Sequence, residues 1–144
     1  MDVMLNSNDL IKIVLDSFEA ERTGNIEKGR ALIANDFRQQ SMILSGDKIF
    51  PIFSNGNDDV TLDDTYLVKE REFHIWNIAS NVESQTVFVE LAEVEPRNNK
   101  KKVWPYVLVC KIENGKIKRS RHYGDPAVLT KDISVSDIEK VVRD

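Results

Sequence analysis

Few residues in this chain are equipped for acid–base or metal chemistry, and their positions narrow what they could do. Glu90 interrupts the apolar run VFVELAEV. A carboxylate buried there without compensation would have its charged form disfavoured, raising its pKa toward the range of a general acid or base. Strand parity puts Glu90 on one face with Phe88 and Ala92, and that face is expected to point inward. His122 is one of two histidines, and an unperturbed pKa of about 6.5 lets such a ring give or take a proton near neutrality. The other, His74, shares a strand face with Trp76, a residue that adds to a pocket wall or to the core. Two histidines and one cysteine do not supply a zinc-type site, and no metal or cofactor is expected. Cys110, inside an apolar strand, reads as a small core residue rather than a nucleophile. The oxygen-rich SNGNDD lacks the twelfth-position glutamate of a calcium loop and reads as a turn-rich connection.

These residues need elements to position them. Asn6 to Arg22 has apolar residues at Leu10, Ile11, Val14, Leu15 and Phe18, the spacing of an amphipathic helix that Ser7 or Asn8 could cap. Gly24 suits its left-handed end, and Asn25 can cap a second helix over Ile26 to Ala34. Phe37 to Ile43 reads as a short strand; Ser45 to Asp64 has no clear pattern. Four strands then follow, over Glu72–Ala79, Gln85–Glu95, Val103–Glu113 and Lys116–Gly124, with short connections that make an antiparallel meander. Asn114-Gly115 is the strongest hairpin signal, because both residues tolerate positive φ. A final helix over Val135 to Arg143 could start at Ser136, with Glu139 completing a capping box.

At 144 residues, 41% hydrophobic and 31% charged, the chain suits one soluble α+β domain, with a core over about residues 8–129 and a helical extension over 130–144. A strongly curved, mostly antiparallel sheet would wrap the two first helices and leave a cone-shaped cavity, the usual place for a ligand in such an arrangement. The net charge of −4 and the lack of stacking aromatics beside the basic runs Arg97–Lys102 and Lys116–Arg121 argue against nucleic acid. No apolar run reaches the ~20 residues of a membrane span, and the N-terminus carries no secretory signal pattern. A cytoplasmic location is the expectation.

The two-helix start leading into ALIANDF, the meander, and the ending ENGKIKRSRHYGDPAVL together resemble the SnoaL-like branch of the nuclear transport factor 2-like superfamily. The ending is similar to that family's "dGkI…yxD" finish, and the likeness runs from about Leu10 to Leu129. The resemblance implies the cone-shaped, cystatin-like fold. It also implies a pocket open to several chemistries, since the family includes cyclases, ketosteroid isomerases, dehydratases and epoxide hydrolases.

Set against that family, the isomerase base falls at Ser41, which has no base of its own, and the second acidic group falls at Val107 or Leu108. Steroid-isomerase chemistry is therefore not expected. The family's acidic residue on the last strand falls at His122, with Ser120 on the same face; Arg119, Arg121 and Tyr123 take the other. Glu90 and His122 would then form the polar pair of an apolar pocket walled by Phe18, Ser41, Trp76, Phe88, Trp104, Tyr106 and Ser120. A one-residue slip in register would move every strand residue of this set to the opposite face. The family commonly dimerises through the outer sheet face, where Val107 and Val109 would lie.

Three functions compete. In the first, the domain binds a small hydrophobic ligand without chemistry, which the missing isomerase carboxylates favour. In the second, it is a cofactor-independent isomerase, cyclase or lyase acting on a small carbonyl compound, with Glu90 and His122 as acid/base pair and Tyr106 as donor to an oxyanion. In the third, it is a structural dimerisation or protein-binding module.

Overall fold

A computed structural model of the chain describes residues 4–42, 44–45, 48–49, 53–55 and 70–144. Helix α1 spans Ser7–Thr23 and is capped by Asn6, whose side chain accepts from the Asp9 amide, rather than by Ser7 or Asn8. It buries Leu10, Val14, Phe18 and Ala20 along the stripe that its spacing predicts. Gly24 ends it with φ of 71°, left-handed as expected. Asn25 caps α2 (Ile26–Leu32). The chain turns to strand at Ile33, earlier than Phe37, because β1 runs over Ile33–Ser41.

Among the described residues the main sheet has six strands: β1, β4 (Phe53–Asn55), β5 (Glu72–Asn81), β6 (Thr86–Arg97), β7 (Lys100–Glu113) and β8 (Lys116–Tyr123). Their order is β4-β1-β8-β7-β6-β5. Among the described residues β1 and β8 run parallel and the other pairings are antiparallel. A separate ladder pairs β2 (Leu44–Ser45) with β3 (Lys48–Ile49). The meander is as the sequence predicts, with a tighter second turn. The expected Pro96–Lys102 loop shrinks to Asn98-Asn99, with φ of 51° and 65°, because asparagine tolerates the left-handed region. Asn114-Gly115 makes the matching turn at the other hairpin, with φ of 51° and 75°. The remaining residues of 45–64 lie outside the described set, so the loop reading of SNGNDD is met only by Ser54 and Asn55, both in β4.

Both faces of the sheet are covered at one point or another. On the concave face, α1 packs Leu10, Val14 and Phe18 on Val87, Val89, Leu91, Tyr106, Leu108 and Ile112. On the convex face, Ala92, Val94 and Val103 lie under Ile133, Val135 and Ile138, with Trp76 beside them. The last three isoleucine and valine contacts come from a 3-10 turn's exit and from helix α3 (Val135–Arg143). That helix starts from Ser134 with Asp137 closing the capping box, two residues before the expected Ser136 and Glu139. The fold is the expected α+β curved sheet around N-terminal helices, with a short C-terminal helix.

Candidate functional site

The register of β6 decides the site. Val87, Val89 and Leu91 are fully buried on the concave side, so Glu93 and Glu95 continue that face, and Phe88, Glu90 and Ala92 take the other. This corrects the inward placement of Phe88, Glu90 and Ala92. Glu90 is exposed on the convex side, where it accepts a hydrogen bond from Asn77 Nδ2 at 2.7 Å; Phe88 is also exposed there. The parity was ambiguous because α3 covers Ala92 and Val94, which makes this strand apolar on both faces. Trp76 likewise belongs to the α3 cluster and not to the cavity.

A cavity of about 220 Å³ lies between α1, α2 and the concave face. Of the residues expected to wall it, Phe18, Trp104, Tyr106, Ser120 and His122 do so. Ser41 pairs with His122 through the backbone, and its side chain lies outside the described set. Glu90 and His122 are therefore on opposite sides of the sheet.

The aromatic wall is contiguous. The His122 ring lies nearly parallel to that of Trp104, at an interplanar angle of 10° and 6.0 Å between centroids. Tyr106 is 4.9 Å from His122 and 4.6 Å from Trp104. Gly124 permits this arrangement, since a Cβ there would sit 2.7 Å from Tyr106 Cβ and 3.0 Å from Trp104 Nε1.

One end of the cavity holds charges that the sequence reading missed. Arg71, at the lead into β5, is buried and turns each guanidinium nitrogen to a different carboxylate. Nη1 donates to Glu21 Oε1 on α1. Nε is 3.1 Å from Glu93 Oε1, an ion pair that lacks hydrogen-bond alignment. Nη2 is 3.6 Å from Glu95 Oε2. Tyr106 donates its hydroxyl to Glu93 Oε2 at 2.9 Å in a buried bond, so that hydroxyl is engaged.

Burial pushes Glu21 up to about 7: it and the repulsion of Glu93 and Glu95 outweigh the attraction of Arg71. Burial also opposes the charge on Arg71, but Glu93, Glu21 and Glu95 together hold its pKa above the usual value. The Tyr106 phenol is raised well above the ordinary range, first by burial and then by Glu93. Glu21 is thus a carboxyl that changes charge near neutrality, poised between proton donor and acceptor. Burial lifts the Cys110 thiol to about 12, which makes it inert. Among the described residues, no group of three or more His, Cys, Asp or Glu is placed to hold a metal ion.

Two signals for this cluster were present. Glu21 follows Leu10, Val14 and Phe18 at helical spacing, so it lies on the buried stripe of α1. Glu93 and Glu95 share parity with Val87, Val89 and Leu91. Arg71 sits in KEREF with nothing to mark it as the counter-charge.

A curved mixed sheet closed on two helices, with an apolar cavity and one charged end, defines a cystatin-like fold domain with a small-molecule-sized site. Solved structures agree on the fold. An LEH-like epoxide hydrolase from M. tuberculosis superposes with a TM-score of 0.69 at 16% identity, covering 96% of this chain and 98% of that one. A protein described as a SnoaL-like polyketide cyclase from Jannaschia gives 0.66 at 15% identity, covering 94% and 98%. A cystatin-like fold protein of unknown function from Methylobium petroleophilum gives 0.69 at 10% identity, covering 92% and 83%. No family model matches the sequence, and no curated protein matches it. The fold implied by the resemblance to the SnoaL-like, nuclear transport factor 2-like proteins is the fold found.

Proposed function

We propose that the domain binds a small, largely apolar molecule in the concave cavity, with one polar group of that molecule at the Arg71 cluster. The observation that carries this reading is the division of the cavity. Phe18, Phe37, Leu108 and Ile117 line an apolar body, while Glu21, Arg71 and Glu93 gather at one end. Buried charge costs stability, and a ligand site is a common reason to keep it. The names of the structural neighbours, an epoxide hydrolase and a cyclase, support a small organic molecule as the occupant.

Tryptophan fluorescence tests the reading, because the chain has two tryptophans and only Trp104 lines the cavity. Titration with single-ring compounds such as cyclohexanol or benzyl alcohol should give a saturable change. That change should vanish in Trp104→Phe, where Trp76 alone reports. Absence of any response in the wild type, together with an unmoved Tm, would count against the site.

A second reading is favoured by Glu21. A carboxyl that titrates at about 7 beside a guanidinium can move a proton at the ligand's polar group, making the domain a cofactor-independent acid–base enzyme. In this reading Glu21 replaces Glu90 as the acid/base residue. Its test is turnover of carbonyl and epoxide compounds by the wild type but not by Glu21→Gln.

The convex face supports homodimerisation. Phe88, Val107 and Tyr123 are all exposed there, beside the part that α3 covers. Gel filtration with light scattering should report twice the chain mass, and Val107→Glu should return it to one.

A further inference from the structure

We propose that Arg71 is the donor that receives the ligand's polar group, and that this group is an oxygen that accepts hydrogen bonds without donating one, as in a ketone or a carboxylate. The inference rests on the reading of the cavity as a ligand site and names the chemistry of what enters it.

A guanidinium has five N–H donors and no acceptor. Among the described residues one of those donors is matched, by Nη1 donating to Glu21 Oε1. Nε lies 3.1 Å from Glu93 Oε1 but is not aligned to donate to it. Nη2 is 3.6 Å from Glu95 Oε2, beyond the reach of a hydrogen bond. Charge attraction acts at such distances whatever the direction of the N–H, whereas a hydrogen bond needs alignment. The ion pairs therefore hold Arg71 in place and leave it short of acceptors. A buried donor without an acceptor costs stability, and its presence in a fold calls for a reason. A guest oxygen in the cavity that Arg71 lines supplies one.

Two further features point the same way. Tyr106, the donor to a ligand oxygen expected from the sequence, gives its hydroxyl to Glu93 Oε2 instead. That leaves the role to Arg71. Glu70, the residue before it, has φ of 62°, a left-handed conformation that a residue with a side chain adopts at a cost. The chain keeps that conformation at the point where it leaves Glu70 exposed and sends Arg71 inward to line the cavity.

The volume of the cavity selects the probes. A protein cavity of about 150 Å³ holds benzene, so about nine non-hydrogen atoms fit at the same ratio in the 220 Å³ present here. That is one ring with a short arm. The ring suits the side of Phe18, Leu108 and Ile117, and the arm brings its oxygen to Arg71. An ammonium on the same arm carries donors alone and has nothing to offer the guanidinium N–H groups.

The experiment takes the intact protein with nitrogen-15 in its arginines and compares acetophenone, benzoate, benzylamine and ethylbenzene near pH 7. Acetophenone should move the Arg71 Nε–H resonance downfield in a saturable way, and its carbonyl stretch should fall below the value in hexane. Ethylbenzene, of the same shape without an acceptor, should give no downfield shift. Benzylamine is protonated near pH 7, as a lysine side chain is, and by calorimetry should bind at least about tenfold more weakly than acetophenone. Benzoate binding more tightly than acetophenone, with the same downfield shift, would identify the acceptor as a carboxylate; weaker binding would identify it as a neutral oxygen. A carbonyl stretch left at its hexane value with the Arg71 resonance unmoved would overturn the inference and leave the cavity as a ligand site. Benzylamine binding as tightly as acetophenone would do the same. Acetophenone binding that persists unchanged when Ser17→Phe fills the cavity would place the ketone elsewhere and also overturn it. If none of the four binds, both the inference and the reading beneath it fail.

Discussion

Replacing Arg71 with Met is expected to cost about 3–5 kcal/mol of stability near pH 8. The guanidinium is 8% exposed and holds Glu21, Glu93 and Glu95 together. Met matches much of its length but takes away the guanidinium that three carboxyls share in a poorly solvated place. Against a typical total of 5–15 kcal/mol, that is a large share. By contrast, Lys12, whose side chain is 72% exposed in its pair with Asp16, should cost no more than about 0.5 kcal/mol on the same change. The Arg71 deficit should be pH-dependent. The raised carboxyl pKa values of the variant mean that protons neutralise the cluster as pH falls, so urea unfolding near pH 5 should show a smaller loss than near pH 8. An equal loss at both values would show that packing, not charge, is what Arg71 contributes. Arg71→Lys should rescue little, because one ammonium cannot face three carboxylates at the angles the guanidinium does.

The second large effect is expected at Phe18. Its ring is 8% exposed and meets Phe73 at 4.8 Å between centroids and 55° between planes, which fastens α1 to β5. Phe18→Ala should cost about 3–5 kcal/mol, read from the urea midpoint at unchanged m. The residue also borders the cavity, so truncation opens that space further instead of letting the core close over the gap. Val141→Ala, at a side chain 76% exposed, should stay within about 0.5 kcal/mol. A Phe18 variant as stable as that control would mean that α1 is held by its other contacts.

How much of this was readable from residues alone varied with the number of competing environments. The α1 stripe, the Asn25 cap and the Asn114-Gly115 turn follow from local rules that tertiary structure leaves intact. So does the pocket side of β7 and β8, where Trp104, Tyr106, Ser120 and His122 line the cavity. The face of β6 did not follow, since Phe88, Ala92 and Val94 are as apolar as Val87, Val89 and Leu91. The deciding fact is that α3 covers one of those faces, a contact between residues some forty positions apart. Glu90 drew notice by interrupting an apolar run, yet it interrupts the outer face. Glu93 and Glu95, which look like a solvated end to the strand, are turned inward to Arg71. Charge complementarity between distant segments leaves no period in a sequence, so the polar end of the cavity stayed hidden while its apolar wall did not.

The parallel pairing of β1 with β8 has a consequence for how the domain comes into being. Ile33 and Arg38 take Ile117 and Arg119 as partners, and Arg119 Nη1 donates to the Asp36 carbonyl across 83 positions. Closing a loop of that length is an entropic cost met late, after the local hairpins β5–β6 and β6–β7 have formed. On the ribosome, β1 emerges long before its partner and must wait until Tyr123 has cleared the exit tunnel. The wall that carries Gln39, Ser120 and His122 is therefore among the last parts assembled. A newly made chain can form its meander hairpins first and closes this wall only once β8 is available to β1.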